Sequence, residues 1–198
     1  MTNIAKFSIV AACFALSLLA LRKPVDKRDA RLLCLGLAFT VIADYFLIIA
    51  SSFEAGLMAF ICVQIVYNIR YTGLNVKQSL ALAAACFVFA FIAGVSTLVS
   101  LALAYTVLFG FSLAAAARRF ADRTYPFPND CLILAGMVSC AICDVFVALL
   151  NSGTDFAAAR EGRLVFLIWL FYIPGIFMLS ISGISFSSKR NTNFMKSS

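Results

Sequence analysis

The sequence predicts an all-α fold, a polytopic transmembrane bundle of about seven helices with its N-terminus outside and its C-terminus in the cytoplasm. Three observations predict it: a composition too apolar to face water, seven apolar runs of spanning length, and basic residues gathered in alternate loops between those runs. Of the 198 residues, 63% are hydrophobic and 13% charged. A soluble domain of this length still needs a polar exterior, and the residues to build one are missing, so lipid must cover most of the surface. The net charge of +7 raises nucleic acid as a partner. The basic residues, however, sit in short clusters between apolar runs and not along one groove-fitting face, so no nucleic-acid partner is expected.

A spanning helix needs about 20 predominantly apolar residues. The first candidate, 4–21, carries Lys6 ahead of its apolar stretch, as a signal peptide would. It ends in Leu21-Arg22-Lys23-Pro24 with no small-residue cleavage site, so it reads as the first span. The next candidates are 31–50, 54–70, 78–93, 96–117, 129–150 and 164–185. The fourth and fifth are divided only at Gly94, and charge decides that they are two. With seven spans, one side holds three basic residues (Lys6, Arg160, Arg163) and the other thirteen, running from Arg22 to Lys196. By the positive-inside rule the thirteen-residue side is cytoplasmic, and merging two spans would destroy the asymmetry. Residues 1–186 thus read as one transmembrane domain and 187–198 as a polar cytoplasmic tail.

Seven cysteines lie in or beside apolar runs, where small polarizable side chains pack well. Cys140 and Cys143 form a CxxC, but with no second pair and no histidine in the chain, neither a metal nor any other cofactor is expected.

Two acidic residues stand deep inside apolar helices, Asp44 in Ile42-Ala-Asp-Tyr-Phe46 and Asp144 in Ile142-Cys-Asp-Val-Phe146, 100 positions apart. Each costs about 2.5–3.5 kcal/mol at a helix centre, so something must offset the cost. Both follow a boundary charge (Arg31, Asp130) by 13 or 14 residues, roughly 20 Å of helical rise, and so share one depth. The matched depth and the similar flanks suggest a parallel internal repeat, with the two carboxyl groups facing each other across a polar cavity open to the non-cytoplasmic leaflet. On the third helix Gln64 and Tyr67, three residues apart, share a face and are candidates for the same cavity. Asn68, near the interface, suits an interhelical hydrogen bond. Tyr105 and Tyr172 are further candidates, Trp169 reads as an interfacial or packing aromatic, and Pro174 as a kink. The basic loop Arg22–Arg31 reads as a topology signal in preference to a headgroup site.

Several islands, taken in order, make the chain resemble the lysoplasmalogenase-like (YhhN-type) family of membrane proteins. They are Lys23-Pro24, the Asp44 segment with Leu47, Gly56-Leu-Met-Ala-Phe60 leading to Gln64 and Tyr67, Tyr105, Gly136 ahead of Asp144, and Ile168-Trp-Leu-Phe-Tyr172-Ile-Pro174. The resemblance implies a hydrolase that cleaves the vinyl ether of a lysophospholipid substrate, lysoplasmalogen, to a fatty aldehyde and a glycerophospho-headgroup. It implies Asp44 and Asp144 as the catalytic pair, with Gln64, Tyr67, Tyr105, Tyr172 and Lys23 toward the substrate. The chain departs from the family pattern in carrying Ala43 before Asp44, Gln64 in place of a histidine, and Ile176 where a glutamine is common.

Two carboxyl groups without a metal suit this chemistry. One protonates the vinyl carbon, and the other, or a water it activates, meets the oxocarbenium ion, as in glycosidases. Burial and a like-charged neighbour both keep one acid protonated, with Asp144 the expected acid and Asp44 the stabiliser or base. Two other functions fit a chain with paired intramembrane acids: a proton- or cation-coupled carrier, and a catalytically inactive lipid-binding protein. The expected surroundings are membrane lipids, in a bacterial inner membrane.

Overall fold

The computed structural model describes residues 2–186, so the expected tail, 187–198, lies outside the described residues. Among the described residues, seven long helices build the bundle. The first, α1 (Asn3–Ser17), breaks at Leu18 and continues as the single turn α2 (Leu19–Arg22). Next, α3 (Lys27–Asp44) begins where the Asp26 carboxylate accepts the Asp29 N–H at 2.8 Å, and it runs on into a π-helical turn, Tyr45–Ile49. Helix α4 (Phe53–Thr72) stops at Gly73, whose left-handed backbone only glycine adopts without strain. Helix α5 (Val76–Ile92) starts with a reciprocal cap between Asn75 and Gln78. Then follow α6 (Thr97–Ala121), α7 (Asn129–Leu150), the short α8 (Asp155–Ala158) and α9 (Glu161–Ile181).

Six of the long helices have the length and composition to cross a membrane: α1 with α2, α3 with its π turn, α4, α6, α7 and α9. The seventh, α5, is apolar but has 17 residues, or about 25 Å of rise. The division between the fourth and fifth spans is real. Gly94 sits in the left-handed region and turns the chain between α5 and α6. The first apolar run is an integral part of the bundle, with Val10, Cys13 and Ser17 buried and α1 packed on α3 and α9.

The packing partners close a ring. Helix α3 packs on α4, α4 on α6, α6 on α7, α7 on α9, and α9 on α1 and α3, while α5 lies outside against α6 and α4. The α7–α9 seam is the most extensive, and glycines let its two backbones approach. A Cβ at Gly136 would stand 2.8 Å from Leu179 Cγ and 3.0 Å from the Gly175 carbonyl oxygen. One at Gly175 would stand 2.9 Å from Cys140 Sγ. Alternation of the seven helices brings Arg22, Lys23, Lys27, Arg28, Arg31, Arg70, Lys77, Arg118, Arg119 and Arg123 to one end of the ring, here called the arginine-rich end. There the last described residues are tied down: the Val25 N–H donates to the Gly183 carbonyl (3.1 Å), and the Asn129 amide donates to the Ser182 and Ile184 carbonyls (2.8 and 2.7 Å).

Candidate active site

Inside the ring, five helices wall a cavity of about 40 Å³. Thr40 comes from α3; Phe60, Val63, Gln64 and Tyr67 from α4; Tyr105 and Phe109 from α6. Met137, Cys140 and Asp144 come from α7, and Tyr172, Ile176 and Leu179 from α9. A water needs roughly 10–15 Å³ of such space, so the cavity accommodates about three waters and no lipid until its walls part.

Each intramembrane aspartate has one tyrosine. The Tyr105 O–H donates to Asp144 Oδ2 at 2.7 Å, and the Tyr172 O–H donates to Asp44 Oδ2 at 2.5 Å. These bonds, made to groups from α6 and α9, are what offset the cost of carboxyl groups at this depth. The two sites differ in access. Asp144 is on the cavity wall; Asp44 is 4% exposed and stands behind Tyr172, which reaches the wall on its behalf. The carboxyl groups do not bond to each other, and their helices α3 and α7 make no extensive contact, because α9 and α6 intervene. Because Asp44 is not on the wall, the expectation that the two acids face one another across the cavity is replaced by two Asp–Tyr pairs converging on it.

Local structure holds both pairs. Asp44 closes the α-helical part of α3, and the π turn that follows widens the helix there, a feature that recurs at functional sites. Trp169 packs edge-on against Tyr172 with ring centroids 5.6 Å apart, so it is a packing group behind the site. The Lys6 ammonium lies 4.8 Å from the Trp169 ring centroid, on the electron-rich face that attracts a cation. Tyr105 is held between Phe60 and Phe109, each at 5.9 Å.

Gln64 and Tyr67 also line the cavity, both 3% exposed. The Gln64 Oε1 and the Tyr67 hydroxyl are buried with no hydrogen-bond partner among the described residues. A buried polar atom left unpaired costs about 1–3 kcal/mol, so these two atoms are ready to bond with whatever enters the cavity. Asn68 does what its position predicts: its amide donates to the Leu108 carbonyl of α6 at 3.0 Å. Lys23 is not part of this site. It stands exposed at the arginine-rich end, where its carbonyl accepts the Ser185 N–H at 2.8 Å. Two of the three departures from the family pattern, Gln64 and Ile176, are on the cavity wall, and the third, Ala43, is buried beside Asp44. All seven cysteines are free thiols, with Cys140 on the cavity wall and Cys143 packed near Tyr172.

Sequence reasoning missed a second polar cluster, at the arginine-rich end. Arg70 on α4 and Asp29 on α3, both buried, form a two-bond pair, with Nε donating to Oδ1 at 2.8 Å and Nη2 to Oδ2 at 2.7 Å. Such a fork matches both carboxylate oxygens at once. The Tyr125 O–H adds a bond to Asp29 Oδ1 at 2.6 Å, and Arg70 also donates to the Tyr71 hydroxyl at 2.9 Å. Burial and the Asp29 carboxylate push the Tyr125 phenol up from its ordinary pKa, so it stays a proton donor. In the sequence Arg70 reads as a loop cation, and Asp29 as one acid within a basic loop. The available signal is that Arg70 falls inside Tyr67-Asn-Ile-Arg-Tyr71, within a helix and not a loop.

Fold and site together define a class: a multi-pass helical membrane protein with a tyrosine-braced carboxylic acid on the wall of an internal cavity and a second one behind it. The YhhN family model matches residues 3–183, and the chain belongs to the YhhN family. No curated protein and no solved structure matches it.

Proposed function

We propose that this protein is a membrane-embedded hydrolase that cleaves the vinyl ether bond of a lysoplasmalogen, with Asp144 as the general acid. The observation that carries the reading is the meeting of both Asp–Tyr pairs and two unpartnered polar groups, Gln64 and Tyr67, at one cavity. Tyr105 occupies only Oδ2 of Asp144, which leaves Oδ1 to carry the transferable proton.

In this mechanism Asp144 gives its proton to the outer vinyl carbon, and the ether-bearing carbon becomes an oxocarbenium ion. The carboxylate formed stabilises that cation and then takes a proton from the water that adds to it, as in a glycosidase site. The resulting hemiacetal collapses to the aldehyde and the free glycerol hydroxyl, so one water is consumed and Asp144 ends protonated. Gln64 and Tyr67 hold the water or the glycerol hydroxyl. Asp44 acts through Tyr172, fixing that hydroxyl toward the reacting carbon. Entry of the alkenyl chain requires the wall of the 40 Å³ cavity to open toward lipid. The division of basic residues, thirteen against three, supports a cytoplasmic C-terminus, in what we take to be a bacterial inner membrane.

The test is aldehyde release from lysoplasmalogen by purified protein in detergent, with no ion gradient, run beside Asp44→Asn and Asp144→Asn. Turnover by wild type, lost in folded Asp144→Asn, supports the reading; unchanged turnover in that variant overturns it. One observation favours a carrier instead: polar groups continue from the cavity to the arginine-rich end, with the Tyr67 and Tyr71 rings 5.7 Å apart and Tyr71 bonded to Arg70. A carrier would be silent in detergent and move substrate only under a gradient, whereas an inactive lipid-binding protein would do neither.

A further inference from the structure

The cavity at the aspartate–tyrosine pairs is smaller than a second one. This second cavity lies at the arginine-rich end, holds about 310 Å³, and is walled by α3, α4, α6 and the turn before α7. Three arginines, Arg28, Arg70 and Arg119, line it, against two aspartates, Asp26 and Asp29.

Both aspartates are already engaged. Asp29 accepts two guanidinium N–H bonds from Arg70 and one O–H bond from Tyr125, and Asp26 caps α3 through the Asp29 N–H. The Arg70–Asp29 pair is therefore a neutral floor. The other two cations are underused. Arg119 spends its Nε on the Tyr71 carbonyl (2.6 Å) and places Nη1 3.5 Å from the Tyr125 hydroxyl. Its second amino group is left for a ligand. Arg28 forms no ion pair among the described residues. A basic cavity between helices, at the end that charge assigns to the cytoplasm, has the chemistry that takes phosphate headgroups. Guanidinium forks match phosphate oxygens with paired bonds.

We infer that this cavity binds a phosphate-bearing anion, held by Arg28 and Arg119 above the Arg70–Asp29 floor and supplied by an acidic phospholipid headgroup or by free phosphate. It is not the headgroup end of the proposed substrate site. Asp29 and Asp44 lie four helical turns apart along α3. Each turn rises about 5.4 Å, whereas only a few covalent bonds separate the phosphorus of a lysoplasmalogen from its ether oxygen. One lipid cannot reach both, so this site stands or falls independently of the hydrolase.

The test is thermal unfolding of the full chain in two arms: nanodiscs of phosphatidylcholine with and without phosphatidylglycerol, and detergent with inorganic phosphate or chloride at equal ionic strength. Wild type should gain about 3 °C with the anion, and Arg28→Gln/Arg119→Gln should lose that gain. Arg22→Gln/Arg118→Gln, at the same end but outside the cavity, should keep it. A gain in the lipid arm alone identifies a headgroup, and a gain with inorganic phosphate identifies a free anion. Absence of any gain in wild type, or equal loss in both double variants, overturns the site. Arg28→Gln alone changes an exposed side chain, so if the double variant fails to fold it reports in its place: a reduced gain supports the site, an unchanged one overturns it.

Discussion

Asp29 and Asp144 are the same residue type in two regions of one bundle, and their partners make them different chemical objects. Asp29, at the arginine-rich end, receives a two-bond guanidinium fork and a phenol, so its charge is matched and both oxygens are occupied. Asp144, on the cavity wall, receives one tyrosine hydroxyl on one oxygen and has no cation bonded to it among the described residues. A buried carboxylate with a full counterion is a structural fixture, and losing the counterion leaves a charge stranded. A carboxyl group with only a neutral donor can stay protonated and pass its proton on. Removing each group should therefore damage a different property.

The largest expected effect is on turnover. Asp144→Asn keeps the shape and still accepts the Tyr105 bond, but it has no acidic proton to deliver. Turnover should fall by about 10²- to 10⁴-fold, the share of a positioned general acid, while the unfolding midpoint stays near wild type. Steady-state aldehyde release and thermal unfolding on one preparation check both halves. A stability loss as large as the activity loss would erase the distinction from Asp29.

The converse substitution tests the other region. Arg70→Met leaves the buried Asp29 beside an apolar chain. It should cost about 3–5 kcal/mol of stability. Adding Asp29→Asn to it should recover part of that loss, because the stranded charge goes too. A double-mutant cycle read by denaturation measures the coupling. Independent effects would mean that the pair is not the unit the geometry describes.

Why one region is legible in the sequence and the other is not follows from what a membrane demands. Lipid imposes about 20 apolar residues per span, so the seven runs are visible. Gly94, the only break between two of them, proves to be the turn. Asp44 and Asp144 stand out because an acid amid Ile, Val and Phe has no other explanation. Their partners are hidden. Tyr172 lies 128 residues from Asp44 and Tyr105 39 from Asp144, and only the closure of the ring by α9 and α6 brings them together. The acids do not face each other across the cavity because Tyr172, bonded to Asp44, takes the place on its wall. Asp29 and Arg70 are hidden for the opposite reason: charges near helix ends look like solvated boundary markers until packing buries them. Lys23 is such a marker, and in the folded chain it remains one.

The seam that fixes where Asp144 stands relative to Tyr172 is open to a smaller perturbation. Gly136→Ala would put a methyl 2.8 Å from Leu179 Cγ and 3.0 Å from the Gly175 carbonyl, so α7 and α9 must separate. Overpacking of this kind costs about 1–3 kcal/mol. Because both helices line the cavity, turnover should drop as well, whereas anion-dependent stabilisation at the arginine-rich end should remain. A loss of stability with unchanged turnover would show that the seam does not set the site's geometry.

The smallest effect separates the two Asp–Tyr pairs themselves. Tyr172→Phe removes the one side-chain hydrogen bond that Asp44, 4% exposed, receives among the described residues. Stability should fall by about 1–3 kcal/mol, the cost of an orphaned buried polar group. Tyr105→Phe removes the equivalent bond from Asp144, but Asp144 borders a cavity in which a water can take the place of the phenol, so the loss should be smaller. The difference between the two unfolding midpoints therefore measures how far the pairs differ in access. Equal losses would make Asp44 as open as Asp144, and would return it to direct contact with substrate in place of a role played through Tyr172.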